Sequence, residues 1–431
     1  MPPTRYPEGH IVRKGQSLSW SLPKGKAARP TQILSLLKVP MTYSSKIASV
    51  ALLSLVMAVP VSAQAPTFQG VAPIAYLKDM SSGAVLYQRD PERQIPPASM
   101  AKMMTAYVAF DLLKQGKIKL DQQIIFKPES WEKWHGPAAG STMFLSPGES
   151  VSVENLLHGI VTLSGNDACV ALAEGIAGTE DGFAALMNKQ AAKLGMKDSH
   201  FGTSNGWPDE GRTVTTAKDL TILAERTLAD FPEYYKQFYQ QKDFTWGKTM
   251  GGNAISQPNR NPILGKIAGA DGLKTGHTEE AGFGFAGSAV QNGRRLIMVV
   301  AGLDSYNGRA DESVKLMDWG FKAWATKALF KKNAVVGSVK VQQGSARTIN
   351  VIAPQDIAVT FPAGDTPSYK MKIIYDGPVK APFKAGTPVA QLVIDNPATG
   401  PQIQPLVAAE DVSEAGFFRR IWNALLSFFG A

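Results

Sequence analysis

The chain has 431 residues and a mass of 46.3 kDa, which leaves room for two or three domains at roughly 150 residues each. Hydrophobic residues make up 44% and charged residues 19%, with 40 Gly and 28 Pro, a balance that excludes disordered, collagen-like and low-complexity classes. The net charge is +9, but residues 1–63 hold eight cations against Glu8 alone, so only +2 remains for the rest of the chain and a nucleic-acid footprint is excluded.

Residues 1–40 form a basic leader rich in Pro and Ser, expected to reflect either an over-extended start ahead of Met41 or a genuine long leader. Residues 41–65 read as a secretory signal peptide: Lys46, an uncharged apolar run over 47–59, then the small-x-small patterns Val61-Ser62-Ala63 and Ala63-Gln64-Ala65. The other reading of that run, a membrane-spanning helix, needs about 20 apolar residues and no Pro60 beside a cleavage pattern.

Residues 66–333 mix strand and helix signals. Segments 75–78 and 85–88 flank Met80-Ser81-Ser82-Gly83 as a hairpin, and 99–114 carries Met100, Met103, Met104, Tyr107, Val108 and Leu112 at the three-to-four spacing of an amphipathic helix. Segments 283–290 and 295–301 flank Gln291-Asn292-Gly293 as a second hairpin, and 310–325 reads as a closing helix. Strands at both ends with helices between them predict an α+β domain, an antiparallel sheet flanked by helices. Residues 336–404 hold short β-rich runs at 338–341, 348–352, 357–361, 370–375 and 389–394, and predict a small all-β domain. Residues 410–431 predict an amphipathic helix with Phe417, Phe418, Ile421, Trp422, Leu425, Phe428 and Phe429 on one side and Arg419 and Arg420 on the other, suited to lying on a membrane surface or to docking on the protein itself.

Two familiar patterns fail on context. The glycines from Gly282 to Gly287 match a dinucleotide fingerprint but run into a strand, and Gly202-Thr203-Ser204-Asn205-Gly206 matches a nucleophile elbow but no helix follows. Cys169 is the single cysteine, and the five histidines include no pair at metal-ligand spacing, so no metal site and no cofactor is expected.

S-x-x-K occurs at Ser21, Ser35, Ser99 and Ser130. Only Ser99 opens a strong helical period, where the i, i+3 spacing sets Lys102 on the same face. A serine needs a base to become a nucleophile, and a desolvated lysine beside other cations supplies one. An N-cap serine beside a surface lysine would give the same local pattern. Company separates the two readings: Ser164-Gly165-Asn166 and Lys274-Thr275-Gly276 follow in the order S-x-x-K, S-x-N, K-T-G.

With those motifs, and the wording around them (Pro97-Ala98-Ser99-Met100-Ala101-Lys102, Ser164-Gly165-Asn166-Asp167-Ala168, Asp271-Gly272-Leu273-Lys274-Thr275-Gly276-His277-Thr278), the chain resembles the penicillin-binding-protein and serine β-lactamase superfamily. Within it, the likeness is to the low-molecular-weight serine-type D-alanyl-D-alanine carboxypeptidases, over about residues 70–330. The resemblance implies a transpeptidase-like fold followed by the β domain and the amphipathic tail, and acylation by β-lactam antibiotics. It implies that Ser99 attacks the bond between the last two D-alanines of a peptidoglycan stem peptide with Lys102 as base. Ser164 and Lys274 would move the leaving-group proton, Asn166 would orient the peptide, and the N–H groups of Ser99 and His277 would form the oxyanion hole. Thr275, in the Lys274-Thr275-Gly276 strand, would meet the terminal carboxylate with Arg309 and Arg260; a surface helix cap is the other reading of Arg309. A D,D-endopeptidase, a β-lactamase and a non-catalytic peptidoglycan-binding scaffold share the likeness; no E-x-x-L-N pattern stands between Asn166 and Lys274 for a class A β-lactamase, and a scaffold has no need of the whole triplet.

Overall fold

The computed structural model describes residues 65–416 together with the backbone of Leu18–Trp20, which lies antiparallel to Lys370–Ile374. The leader apart from that strand, the signal-peptide segment through residue 64 and the tail from 417 onward lie outside the described residues.

A five-stranded antiparallel sheet organises the larger part. Its strands are β1 (Ile74–Asp79), β2 (Val85–Arg89), β5 (Ala270–Thr278), β6 (Gly282–Gln291) and β7 (Arg294–Leu303), in the spatial order β2-β1-β7-β6-β5. The small hairpin β3 (Asp243–Lys248) and β4 (Ala254–Pro258) stands apart from it. Side chains alternate across the pleat, so Ile297 and Val299 enter one core while Leu296, Met298 and Val300 enter another. The first core takes α1 (Lys102–Lys114), α2 (Val153–His158), α3 (Asn166–Ala177), α4 (Glu180–Leu194) and α5 (Ala217–Asp230). The second takes α6 (Tyr306–Lys322), which approaches so closely that a Cβ on Gly320 would sit 2.7 Å from Leu77. The expected antiparallel sheet flanked by helices is therefore the architecture, with helices on both faces.

Local details depart from expectation. The segment expected as one helix over 99–114 begins with a 3-10 turn, Ala98–Ala101, before α1 proper, and neither Ser99 nor any other side chain caps it. α1 is not amphipathic: Lys102 through Phe110 are all buried, because the helix lies between other helices and the sheet. Ser130, set aside for want of a helical period, lies in the short helix Pro128–Lys133 and bonds Glu174 at 2.8 Å. The closing helix ends at Lys322, and Trp324–Phe330, β8, turns into a strand.

The β-rich part consists of β9 (Val335–Gln342), β10 (Thr348–Ile352), β11 (Ile357–Pro362), β12 (Lys370–Ile374), β13 (Pro388–Asn396) and β14 (Gly400–Ala408) around its own core. Strands β12, β13, β14, β10 and β9 follow one another in one sheet, and β8 pairs with β11. Residues 410–416, expected to begin the amphipathic helix, are not helical: bridges from Val412 to Phe383 and from Glu414 to Gly344 fasten them to this sheet. Main-chain hydrogen bonds to the sheet satisfy groups a helix would otherwise have paired.

A buried polar cluster joins the two parts. Asp79 accepts from Arg294 Nε at 2.7 Å and from the Thr360 hydroxyl at 2.9 Å, while Arg294 Nη1 donates to the Trp324 carbonyl and Thr360 meets Ser82. Asn396 and Gln404 donate to the Thr360 and Ser82 carbonyls. Among the described residues no helix is long and apolar enough to cross a membrane.

Candidate active site

The site forms where the 3-10 turn, the start of α3, the loop 201–216 and β5 meet. Ala98 has φ 47°, a left-handed conformation that an L-residue adopts only under constraint. Two glycines supply the constraint. Gly206, at φ +74°, packs where a Cβ would run into the Ala98 carbonyl oxygen, and a Cβ on Gly276 would lie 2.6 Å from the Pro97 carbonyl. The turn carrying Ser99 is thus pressed between a loop and the K-T-G strand.

Lys102, one turn on, is 1% exposed and its Nζ donates to Ser99 Oγ at 2.7 Å, Asn166 Oδ1 at 2.8 Å and the Asn205 carbonyl at 2.8 Å. Burial pushes its pKa down to about 8; the Arg260 charge acts in the same direction, while Asp167 and Glu180 oppose it. Cys169, also buried, has its thiol pushed up to about 12, so it stands beside the site as a neutral packing residue.

Ser164 occupies a left-handed residue (φ 64°, ψ 30°) between the π turn Gly159–Leu163 and α3, and is buried at 3% exposure. Asn166 opens α3; its Nδ2 donates to the Ala139 carbonyl and its N–H to the Ser141 carbonyl. Asp167 next to it accepts from the N–H groups of Met143, Leu145 and Ala168, which fastens the loop over 139–145 against the site.

Lys274, Thr275 and Gly276 are buried on β5, the edge strand of the sheet, and His277 just beyond is exposed. Burial holds the Lys274 ammonium well below its ordinary pKa, and the charges of Lys102 and Arg260 add to this. Lys274 Nζ reaches the Thr275 carbonyl at 3.2 Å. Arg309 is 3% exposed in the first turn of α6, whose cap is Ser305, and its Nη1 points to the Gly276 carbonyl at 3.5 Å. It is therefore not a surface cap. Arg260 follows β4 and bonds the Ser141 hydroxyl, on the loop that Asp167 holds. Ser99, Lys102, Ser164, Asn166, Lys274, Thr275, Gly276, His277, Arg309 and Arg260 thus belong to one neighbourhood.

Sequence reasoning missed Asn205, dismissed with its loop. Its contribution is a main-chain carbonyl, and the loop is set by Ser204, whose N–H and hydroxyl both reach Glu180. Among the described residues no group of three His, Cys, Asp or Glu is placed to hold a metal ion.

This sheet-and-helix architecture, with a serine and a buried lysine in contact beside S-x-N and K-T-G, defines the class of penicillin-binding, β-lactamase-like proteins. The family profile described as D-alanyl-D-alanine carboxypeptidase, Peptidase S11, matches residues 60–305, and that of the penicillin-binding protein 5 C-terminal domain matches 324–414. The chain belongs to the D-alanyl-D-alanine carboxypeptidase family and is a hydrolase of that kind. It is 37% identical to the D-alanyl-D-alanine carboxypeptidase DacC of Escherichia coli over 355 residues, 81% of this chain and 86% of the relative. To DacA of Haemophilus influenzae it is 36% identical over 353 residues, 81% and 87% of the two chains. Penicillin-binding protein 5 from Haemophilus influenzae superposes with a TM-score of 0.70 at 35% identity, over 81% of this chain and 99% of that one. Penicillin-binding protein D2 from Listeria monocytogenes in its cefotaxime-bound form gives 0.53 at 30% identity, over 60% and 100%.

Proposed function

We propose that the chain removes the terminal D-alanine from peptidoglycan stem peptides through an acyl-enzyme on Ser99. The observation that carries this is the set of three acceptors around Lys102 Nζ. A neutral lysine has two N–H groups and one lone pair. Asn166 Oδ1 and the Asn205 carbonyl take the two N–H groups, which turns the lone pair toward the Ser99 hydroxyl. Ser99 Oγ then attacks the D-Ala-D-Ala carbonyl as its proton passes to Lys102, and the N–H groups of Ser99 and His277 receive the oxyanion. Ser164 and Lys274 relay that proton from Lys102 to the departing D-alanine nitrogen, and water then attacks the ester, its proton passing through Lys102 to Ser99 Oγ as the shortened stem leaves. Thr275, Arg309 and Arg260 hold the substrate carboxylate, supported by the close approach of Arg309 to Gly276. β-Lactams, which carry a carboxylate and a strained amide, acylate the same serine.

We further propose residues 66–333 as the catalytic domain, 336–404 as a spacing or contact domain, export through 41–65, and peripheral attachment at the outer face of the cytoplasmic membrane through the tail. The apolar run over 47–59 and the aromatic-basic pattern from Phe417 to Phe429 support that location.

The test is release of D-alanine from a pentapeptide ending in D-Ala-D-Ala by the mature wild type and by Ser99→Ala. The wild type releases D-alanine and the variant falls by at least about a thousandfold. Equal release by both would end the assignment of Ser99.

A further inference from the structure

Arg309 is almost wholly buried, yet its Nε has no hydrogen-bond partner and Nη1 reaches Gly276 only at 3.5 Å. Among the described residues no carboxylate lies within ion-pairing distance of it. What surrounds the guanidinium is aromatic: Cζ lies 5.6 Å from the Phe283 ring centroid and 4.9 Å from that of Tyr306. Phe283 faces His277 directly across the β5–β6 register and stacks on its ring at 3.8 Å and 26°. The column runs from the residue after K-T-G to an exposed phenol on α6. A ring face attracts a guanidinium without consuming its N–H groups as a carboxylate would. The Nη1 atom approaches the carbonyl of Gly276, the last residue of K-T-G, so the guanidinium stands beside the catalytic edge strand.

We propose that Phe283 and Tyr306 are positioning residues that hold Arg309 by cation–π contact and keep its N–H groups free, so that this stack sets the preference for substrates with a free terminal carboxylate. The inference rests on the reading of Arg309 as a carboxylate-binding residue. Leucine at either position keeps apolar bulk and removes the ring face; Tyr306→Phe keeps the ring and removes only the hydroxyl.

The experiment compares kcat and KM of wild type, F283L, Y306L, Y306F and R309A on two peptides, one ending in D-Ala-D-Ala and one ending in D-Ala-D-alaninamide. Thermal melts and end-point penicillin labelling report folding. F283L and Y306L raise KM for the acid peptide about three- to thirtyfold, leave its kcat within about twofold, and leave the amide peptide as in wild type; Y306F behaves as wild type. Equal losses on acid and amide in Y306L would make the stack merely structural and overturn the inference. An unchanged acid-to-amide preference in both leucine variants, with that preference lost in R309A, would overturn it while the Arg309 reading stood. Wild-type preference in R309A would remove both.

Discussion

Lys102 is held where its surroundings oppose its charge and its hydrogen bonds fix its direction. Burial lowers its pKa to about 8, so at pH 7 about a tenth of the molecules carry the neutral amine. The sign follows: the ammonium cannot accept the Ser99 proton, so acylation is lost as pH falls through this value and is fully present above it. Lys274 is depressed too, by burial first and then by the charges of Lys102 and Arg260. The acylation rate with a fluorescent penicillin is expected to rise about tenfold per pH unit below an apparent pKa near 8 and then level off; a rate flat from about pH 6 to 10 would contradict Lys102 as base. At this scale the sequence was legible where chemistry depends on side chains at short spacing, as in Ser99 with Lys102. Asn205 was invisible because it acts through its carbonyl, which every residue possesses.

Among the elements, the turn at Ala98–Ala101 and the loop carrying Gly206 depend on each other. Gly206 has φ +74° and no room for a side chain against Ala98. Gly206→Ala must displace either the Ser99 turn or the Asn205 carbonyl, and a displacement of about 1 Å is enough to cost roughly 100-fold in rate. Penicillin acylation of G206A is expected to fall by that order while circular dichroism stays native; a wild-type rate would show that the turn does not need the loop. The Asn292-Gly293 hairpin was readable from its turn chemistry, and the K-T-G segment from its motif, although the strands themselves are buried in continuous runs without alternation. β14 was not. In it Gln402 and Gln404 are 3% and 5% exposed while Ile403 is 59% exposed, an inversion that hides the core face. Gln404 earns its burial by bonding the Ser82 carbonyl. Likewise α1 gave a helical period but not its depth, since burial on every face depends on neighbours distant in sequence.

For the whole molecule, Thr360 and Gln404 tie the β part to the hairpin of the catalytic sheet through buried hydrogen bonds to Asp79 and Ser82, while the Arg294–Asp79 ion pair lies within the sheet and fixes Asp79. Pulling the parts from each other would leave these buried polar groups without partners, which is costly, so the two parts are expected to move as one body. The break in composition near residue 336 revealed two parts. It missed β8, an apolar strand that reads as a continuation of α6 and instead pairs with β11. Val412 and Glu414 then bring the chain to the edge of the β part, from which the proposed tail departs. Deleting residues 417–431 is expected to move the mature protein from the membrane fraction to the soluble one; continued sedimentation with membranes would place the attachment elsewhere.

The central claim is that Ser99 is the acylated residue, and the most direct measurement is peptide mass mapping of the mature protein after brief exposure to benzylpenicillin. The account predicts one penicilloyl adduct, on the peptide containing Ser99, absent in Ser99→Ala and greatly slowed in Lys102→Ala. An adduct on Ser164 or any other residue, or none on a folded protein, would contradict it.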